Sequence, residues 1–540
     1  MKKAFARATA ALMAMVIPFS FAACTEKVPD TEDVLEIYIQ DLGYGTQWLE
    51  DEIALFKEQA WVKEKYPNLV IPDISYNSEY SYGANQIKAG KQANSVDLFF
   101  ISADYDLQSA VDASGERYIA DLNDVFNQNV PGEEILYKDK MFDEFEMSCQ
   151  YDGTYWSTLW TCAYEGILYN ADLFEELGLS VPRTTNELIA LCRTVSDPNR
   201  TTKDAYDKTY TVMLSTSRTE AAYWQYMAFP TWWAQYEGLE NYYNFYKGID
   251  SVTGTLDSRD VFLQQGRRES LDVLYTLIHD YSFVGAGSID FIEAQQRFLM
   301  GDGLIMANGD WFYEEMRTTV EGLKANGYDY DIRYMKTPII SSIVENLTTV
   351  TEESQLTALI DAIDGGVNVY ADLPAALSYV SEADFDRVYE ARTFVYTESY
   401  LHQAFVPSYA TGKEVAKDFL RFLATDIAIN QYMESTGGAT LPFGYDVSEK
   451  DPELYESFDG IQKYRDEIYN SSEDLTFVLP TRYEEFPLVY LGGMKSVPVG
   501  IIDSSFSQGG GKDAETFFNE QADYYSGSTW DDVLRNAGRK

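Results

Sequence analysis

The stretch from Tyr151 to Leu188 constrains the fold most, because its residues predict strands and helices in close succession. A turn at Asp152-Gly153 leads into an aromatic strand that reaches Trp160. A second apolar run, from Gly166 to Tyr169, follows it. The helix signals begin directly after this run, so the chain is expected to pass from strand to helix without a long loop.

The helix boundaries in this stretch are predicted by capping residues. Asn170 is expected to cap a helix over residues 171–177, and Gly178 to end it. After Pro182, Thr184 or Thr185 can cap the next helix.

The same residues follow a recognisable pattern. The order G-x-Y, strand, Y-N-x-x-L-F-x-x-x-G-L and P-x-T-x-x-E-L resembles the extracellular solute-binding proteins of carbohydrate ABC importers, here as a lipoprotein. Further pieces of the pattern occur in the expected order between about Val34 and Trp530: FLMGDGLIMANGDW (Phe298 to Trp311), Thr337-Pro338, a helix from Val415 to Met433, Gly437-Gly438 and Leu441-Pro442.

The resemblance implies an α/β fold of the periplasmic-binding-protein type, class II. Two lobes, each a mostly parallel sheet flanked by helices, are then joined by a hinge. The expected parts are residues 1–24 as a lipoprotein signal peptide, residues 34–150 plus 341–445 as lobe 1, and residues 155–336 plus 446–540 as lobe 2. The chain is expected to cross first near residue 155 and to return between Tyr334 and Ile340.

Residues 1–24 have the features of a targeting segment. Basic residues near the start precede an apolar run of about 12 residues, which is short of the ~20 needed to span a bilayer. Phe21-Ala22-Ala23-Cys24 resembles a lipobox, although Leu is commonest where Phe21 stands. Lipid attachment to Cys24 is expected, and a plain signal peptide cut near the alanines is the alternative.

Charge and composition favour a folded, exported protein with neutral partners. The formal net charge of -46 opposes binding to nucleic acid and to anionic lipid headgroups. Aromatic residues make up 15% of the chain, far more than disordered segments carry.

The cysteines give little further information. If Cys24 carries lipid, Cys149, Cys162 and Cys192 remain, and an odd number cannot form a complete disulfide framework. Small buried thiols are favoured, with a bridge between Cys149 and Cys162 left open.

Two loops that follow predicted strands are candidates for one wall of a ligand cleft. Tyr44 and Gly45 follow the strand VLEIYIQ, and Asp104 and Tyr105 follow the strand that ends at Ile101. Ligands in open parallel sheets collect outside the carboxyl ends of the strands. The alternative is that Gly-Tyr-Gly is merely a turn whose tyrosine packs.

A tract dense in aromatic residues supplies further candidates. Trp232 and Trp233 can stack on the apolar faces of pyranose sugars, while neighbouring amides satisfy the hydroxyls. The alternative is a helix that faces the core. Trp160, in the aromatic strand, belongs to the same set of candidates.

Trp311 is the strongest candidate ligand residue. In the family that the chain resembles, the aromatic residue at this place lies in the ligand cleft. Asp310 beside it is expected to cap the following helix or to accept a ligand hydroxyl.

Enzyme signatures are mostly absent from the sequence. The two histidines are isolated, no H-E-x-x-H or G-x-S-x-G occurs, and the glycines at 509–511 lack the residues of a phosphate loop. A secreted glycosidase remains the rival class, because 87 acidic residues always offer some carboxylate pair. A repeat-built adhesin is disfavoured, since no repeats are found.

The sequence therefore predicts a binding protein without enzymatic activity or cofactor. The expected ligand is a carbohydrate, most simply an oligosaccharide, with a peptide or a polyamine as alternatives. By resemblance, the partners are the membrane-spanning permease subunits of an ABC importer with its ATPase. The protein is expected to act as a monomer on the outer face of the cytoplasmic membrane.

Overall fold

The computed structural model describes residues 30–79, 81–102, 107–196, 223–282, 286, 289–397, 402–470, 475–478, 486–496 and 512–540. The strands in these residues are β1 (Ile37–Gln40), β2 (Ser75–Asn77), β3 (Leu98–Ser102), β4 (Gln150–Tyr151), β5 (Thr154–Tyr155), β6 (Thr158–Leu159), β7 (Glu165–Asn170), β8 (Ile305–Gly309), β9 (Ile332–Met335), β10 (Phe394–Tyr396), β11 (His402–Phe405) and β12 (Thr476–Val478).

Helices make up most of the remaining described structure. The α-helices are Gln47–Glu58, Ala60–Lys65, Tyr82–Ala89, Asn123–Phe126, Tyr137–Lys140, Asp143–Ser148, Ala171–Leu177, Thr185–Val195, Phe229–Glu237, Leu239–Lys247, Gln265–Tyr281, Phe291–Leu299, Phe312–Lys324, Glu353–Asp364, Glu382–Thr393, Lys413–Leu423, Asp426–Ser435, Val447–Lys450, Pro452–Ser457, Gly460–Asn470, Pro487–Tyr490, Ala514–Tyr524 and Ser528–Asn536. A π-helical turn covers Trp224–Ala228, and short 3-10 turns cover Arg259–Leu263, Ser341–Asn346, Tyr370–Asp372 and Ala375–Leu377.

The first lobe is built on a five-stranded sheet with the order β2-β1-β3-β11-β6. Strand β1 runs parallel to β2 and β3, whereas β11 runs antiparallel to β3 and β6. All residues of β1 and β3 are buried, as expected for strands covered on both faces. The loop after β1 therefore emerges at the edge of a rigid core.

The second lobe contains a three-stranded sheet with the order β8-β7-β9. Strand β7 is antiparallel to both neighbours, although the sequence predicts a mostly parallel sheet. Long helical connections separate β7 from β8 and β9, so no short turn in the sequence reveals the strand direction. Strand β8 ends at Gly309 and delivers Asp310 and Trp311 to the edge of this sheet.

Residues 341–396 belong to the second lobe, which corrects their predicted place in the first lobe. Ile339 pairs with Thr184, and the backbone N–H of Ile340 donates to Gln235 in the helix Phe229–Glu237. Apolar residues of the helices Glu353–Asp364 and Glu382–Thr393 join the same core. The chain returns to the first sheet only at β11.

The crossings between the lobes lie side by side. The first runs from Trp160 to Tyr164, between β6 and β7, and the next follows Thr397 rather than Tyr334–Ile340 as predicted. The Thr397 hydroxyl lies 2.6 Å from the carbonyl oxygen of Cys162 and 3.0 Å from that of Ala163. These hydrogen bonds connect Thr397 to the crossing at Trp160–Tyr164.

A third segment, at Thr440, contacts the first crossing. The backbone N–H of Cys162 donates to the Thr440 carbonyl at 2.8 Å. Ala163 has a φ of 43°, which a residue with a side chain rarely adopts. We name the segment Thr161–Tyr164, together with Thr397 and Thr440, the hinge.

The capping predictions in the central stretch are confirmed. Asn170 accepts a hydrogen bond from the N–H of Leu173, and Thr184 accepts one from the N–H of Glu187. Gly178 ends the first of these helices with a φ of 64°. These signals are local, so the sequence alone placed Asn170 and Gly178 and narrowed the second cap to Thr184 or Thr185, of which the structure shows Thr184.

The predicted single helix from Val415 to Met433 is wrong. The structure has two helices, Lys413–Leu423 and Asp426–Ser435, separated at Ala424 and Thr425. The Thr425 hydroxyl accepts the N–H of Ala428, so it caps the second helix.

Cys149, Cys162 and Cys192 are buried free thiols, which confirms the favoured prediction. Burial raises the pKa of the Cys149 and Cys192 thiols. None of the helices in the described part of the chain has the length and apolarity needed to cross a bilayer.

Candidate functional site

The loop after β1 meets the end of β8, so the candidate site lies between the two lobes. Gly43 and Gly45 both have positive φ angles, 97° and 68°, which turn the loop towards the second lobe. A Cβ atom at Gly43 would lie 3.2 Å from Cβ of Trp311, and one at Gly45 would lie 3.5 Å from a carboxylate oxygen of Glu314. We name Gly43, Tyr44, Gly45, Asp310 and Trp311 the interlobe site.

A buried hydrogen bond crosses the interlobe site. The Tyr44 hydroxyl donates to Oδ1 of Asp310 at 2.6 Å, and both side chains are buried. Asp310 does not cap the following helix, because Trp311 occupies the N-cap position without a side-chain bond. The predicted capping role of Asp310 is therefore wrong, and its predicted role as an acceptor of a ligand hydroxyl stays a prediction.

Burial shifts the pKa of both partners of this pair upwards. Burial and the neighbouring Asp310 carboxylate raise the pKa of Tyr44 well above its ordinary value. Burial also raises the pKa of Asp310, although Arg465 and the Tyr44 hydroxyl act in the opposite direction. Oδ2 of Asp310 is buried and makes no hydrogen bond with the described residues. It is therefore a strong acceptor that remains to be satisfied.

The ring of Trp311 is half-buried at the boundary of the two lobes. Tyr44 and Tyr223 approach it edge-on, with ring centroids 6.5 and 6.1 Å away. Trp311 packs against the cores of both lobes. A Cβ atom at Gly309 would lie 2.1 Å from this ring, so a glycine is required for the ring to lie over the strand end.

Trp160 packs against Tyr44 of the interlobe site. Its ring stacks on Trp48 at 5.5 Å and touches the edges of Tyr44 and His402 at 5.7 and 5.1 Å. Only 1% of Trp160 is exposed. The structure thus places it next to Tyr44, in the first-lobe core.

Trp232 and Trp233 do not reach the interlobe site, contrary to the expectation that one of them contacts a ligand. Both indole N–H groups are satisfied inside the second-lobe core, by the Pro338 carbonyl at 3.1 Å and by Gln264 at 2.9 Å. Every residue from Phe229 to Tyr236 is buried, because other helices surround this helix. A helix that is apolar on all sides belongs to the core.

Asp104, Tyr105 and Cys24 lie outside the described residues. Their predicted roles in ligand binding and lipid attachment stay predictions.

The sequence analysis missed a group of carboxylates around Trp311. Burial raises the pKa of Glu314 and Glu315, and Asp41 of the first lobe raises both further, while Arg317 lowers that of Glu314 and Gln295 that of Glu315. Oε1 of Glu314 also pairs with Arg317 at 3.0 Å. With 87 acidic residues in the chain, the sequence offered no signal to select these few.

Within the described residues, no three or more His, Cys, Asp or Glu side chains are arranged to hold a metal ion. What the interlobe site offers is a flat indole ring beside buried oxygen acceptors.

Comparison with known structures identifies the architecture. The chain superimposes on a probable secreted solute-binding lipoprotein from Streptomyces coelicolor with a TM-score of 0.54 and 13% identity, covering 92% of this chain and 99% of that one. It also superimposes on a chitin oligosaccharide binding protein, with a TM-score of 0.52 and 14% identity over 92% and 99% of the two chains. The fold is that of a two-lobed solute-binding protein.

Two further comparisons agree with this fold. Residues 46–262 match the family model of bacterial extracellular solute-binding proteins. The bacterial solute receptor AcbH, described as having an exclusive preference for β-D-galactopyranose, superimposes with a TM-score of 0.52 and 13% identity over 94% of this chain and 97% of that one. No curated protein matches the chain in sequence.

Proposed function

We propose that this solute-binding protein is the extracytoplasmic binding component of an ABC importer and that it captures a carbohydrate, most simply an oligosaccharide. The observation that carries the proposal is the position of Trp311. Its half-buried ring lies between the lobes, directly against Gly43 of the opposite lobe.

The chemistry of the interlobe site suits a sugar. An indole ring stacks on the apolar face of a pyranose, and buried carboxylate oxygens accept its hydroxyls. Trp311 provides the ring, and the unsatisfied Oδ2 of Asp310 provides an acceptor. Two proteins with the same fold are described as binding a chitin oligosaccharide and β-D-galactopyranose, which supports this ligand class.

The proposed mechanism is closure of the lobes around the ligand. A ligand that touches both lobes shifts the population from open to closed, and the closed form is recognised by the permease. The hinge segments at Thr161–Tyr164 and Thr397 would absorb the rotation. The partners are the membrane-spanning permease subunits and, behind them, an ATPase. The binding protein acts as a monomer and catalyses no covalent step.

The proposed location is the outer face of the cytoplasmic membrane. A lipid on Cys24 would hold the protein there, close to the permease. Mass spectrometry of Cys24 in the membrane-associated protein tests this, because an unmodified thiol or a chain cut elsewhere contradicts the anchor.

The function is tested by a thermal-shift screen with mono- and oligosaccharides, amino acids, peptides and polyamines. A ligand that binds only the folded protein stabilises it by RT ln(1 + [L]/Kd), about 2.7 kcal/mol at a hundredfold excess over Kd. A rise in Tm with an oligosaccharide that is recovered intact is the expected result. Breakdown of the sugar would instead indicate a glycosidase.

A second candidate ligand class is a polyamine. Asp41 acts electrostatically on Glu314 and Glu315, and a carboxylate oxygen of Glu314 lies beside Gly45 of the interlobe site. Carboxylates near an aromatic face attract an alkylammonium group. Stabilisation by spermidine and not by any sugar, together with its loss in Glu314→Gln, would favour this class.

A further inference from the structure

A cavity lies at the junction of the lobes, and Trp311 is not among the residues that line it. Its volume is about 160 Å³, and Phe142, Thr440, Phe443, Gly444, Tyr445 and Arg465 contribute to its lining. We name it the hinge cavity. The residues of the interlobe site do not line it.

The walls of the hinge cavity come from both lobes. Phe142 belongs to the first lobe, where its backbone N–H donates to the Pro442 carbonyl at 3.3 Å. Arg465 comes from the helix Gly460–Asn470, which packs on β9 of the second lobe. Thr440 lies in the hinge itself, bonded to Cys162. The cavity is therefore lined by residues of both lobes and of the hinge.

Arg465 makes the hinge cavity a built polar site. Only 3% of this residue is exposed, and its buried Nε finds no hydrogen-bond acceptor among the described residues. A buried donor that is left unsatisfied is costly, so a partner supplied by a bound molecule is favourable. The guanidinium also acts on Asp310, whose pKa it lowers.

The other walls define which molecule fits. Phe443, which is almost fully buried, and Tyr445 supply aromatic surface, while Asp446 and Asp466 supply carboxylates. Two carboxylates against one guanidinium disfavour an anion. The Asp446 carboxylate already caps the helix Val447–Lys450, so it is less available to bind a cation. Aromatic rings next to hydrogen-bond donors and acceptors suit a neutral molecule that carries many hydroxyl groups.

The size of the cavity narrows the choice further. A water molecule needs at least ~10–15 Å³ of such volume, so the cavity has room for roughly ten water-sized groups, close to the ~12 non-hydrogen atoms of a hexose. We infer that the hinge cavity is a second binding site, for a neutral polyhydroxylated molecule of monosaccharide size. This site is independent of the ligand proposed for the interlobe site.

The test separates the two sites by paired variants. Gly444 lines the hinge cavity, has no positive φ, and offers a new Cβ open space, with the Lys140 carbonyl 3.9 Å away as the nearest contact. Gly444→Leu therefore obstructs the hinge cavity, whereas Trp311→Ala alters the interlobe site only. Calorimetric titration of both variants and of the unaltered protein uses D-glucose and D-galactose, with an oligosaccharide series as the probe of the interlobe site.

The expected result is that a hexose binds the unaltered protein and Trp311→Ala within about twofold, and binds Gly444→Leu at least tenfold more weakly, about 1.4 kcal/mol. Oligosaccharide affinity should be unchanged in Gly444→Leu. Hexose binding that is lost in Trp311→Ala and kept in Gly444→Leu overturns the inference, as does the absence of hexose binding to all three proteins.

A crystal of the unaltered protein soaked in the hexose gives a reading that does not depend on the variants. Density between Phe443 and Arg465 is expected, and density only beside Trp311 contradicts the second site. If the interlobe proposal alone is wrong, oligosaccharides bind none of the proteins, yet the hexose still distinguishes Gly444→Leu from the other two.

Discussion

The hydrogen bond between Tyr44 and Asp310 joins residues that are 266 positions apart, one from each lobe. Its bond energy is available only when the lobes are in contact. Elsewhere, the Tyr66 hydroxyl donates to Asp418 at 2.8 Å in another buried pair, which lies within the first lobe. Substituting each tyrosine in turn therefore distinguishes a loss of contact between the lobes from a loss of stability within one lobe.

Tyr44→Phe is expected to weaken ligand binding, because it leaves the buried Asp310 without its donor in the closed form. The cost of such a loss is about 1–3 kcal/mol. Tyr66→Phe should lower the free energy of unfolding by a similar amount and leave ligand affinity unchanged. Calorimetry and chemical denaturation measure both, and equal affinity losses in the two variants would argue against the interlobe role.

Trp311→Ala is expected to weaken sugar binding by about 1–3 kcal/mol, because the ligand loses its central stacking surface. The control is Trp61→Ala, which removes a half-buried indole that packs on Phe56 on the first lobe. The control should bind the sugar like the unaltered protein. A folded Trp311→Ala variant with full affinity would remove Trp311 from the site.

At the scale of the elements, a buried carboxylate holds two parts of the segment 341–396 together, the helix Glu382–Thr393 and the loop before the helix Glu353–Asp364. Asp384, of which 3% is exposed, accepts the backbone N–H groups of Thr348, Thr349 and Val350. Burial alone raises the pKa of Asp384, but the hydroxyl of Thr349 and these N–H groups outweigh it and lower the pKa to about 2.

Asp384→Asn should therefore destabilise the protein by about 1–2 kcal/mol at neutral pH, after allowance for screening by solvent. Since the pKa is lowered on folding, the stabilisation is complete above the unfolded value near 4 and is lost as the pH falls towards 2. Denaturation curves between pH 7 and pH 2 test this. Asp386→Asn, on the exposed face of the same helix, is the control, and a difference between the variants that does not depend on pH would contradict the prediction.

At the scale of the whole molecule, the hinge holds the lobes through hydroxyl and backbone contacts. Thr397→Val keeps the shape of the side chain and removes its contacts with the Cys162 and Ala163 carbonyls. We expect a loss of about 1–2 kcal/mol in stability and a larger population of open molecules. Thr393→Val, which removes a hydroxyl bond to the Glu390 carbonyl at a helix end, is the control.

Small-angle scattering without ligand distinguishes these variants. The radius of gyration is expected to increase in Thr397→Val and to stay unchanged in Thr393→Val. Equal radii, with equal losses of stability, would mean that Thr397 contributes to packing but does not set the hinge.

Where a feature depends on neighbouring residues, the sequence was sufficient. Asn170, Thr184 and Gly178 were placed because a cap bonds within three residues of itself. The resemblance carried by these motifs also pointed to the two-lobed fold. The loop after β1 and the aromatic residue after β8 were each named among the predicted ligand-binding residues, and the structure brings them into contact.

The tertiary structure decided what depends on distant packing. Trp232 and Trp311 have the same side chain, yet one is enclosed by helices and the other lies between lobes, and no local pattern separates these cases. The same holds for residues 341–396, whose apolar stripe fits either lobe until the partner surface is known. Sequence by itself determined the capped elements, while burial, lobe membership and the Tyr44–Asp310 bond required the folded chain, because they arise from contacts between residues far apart in sequence.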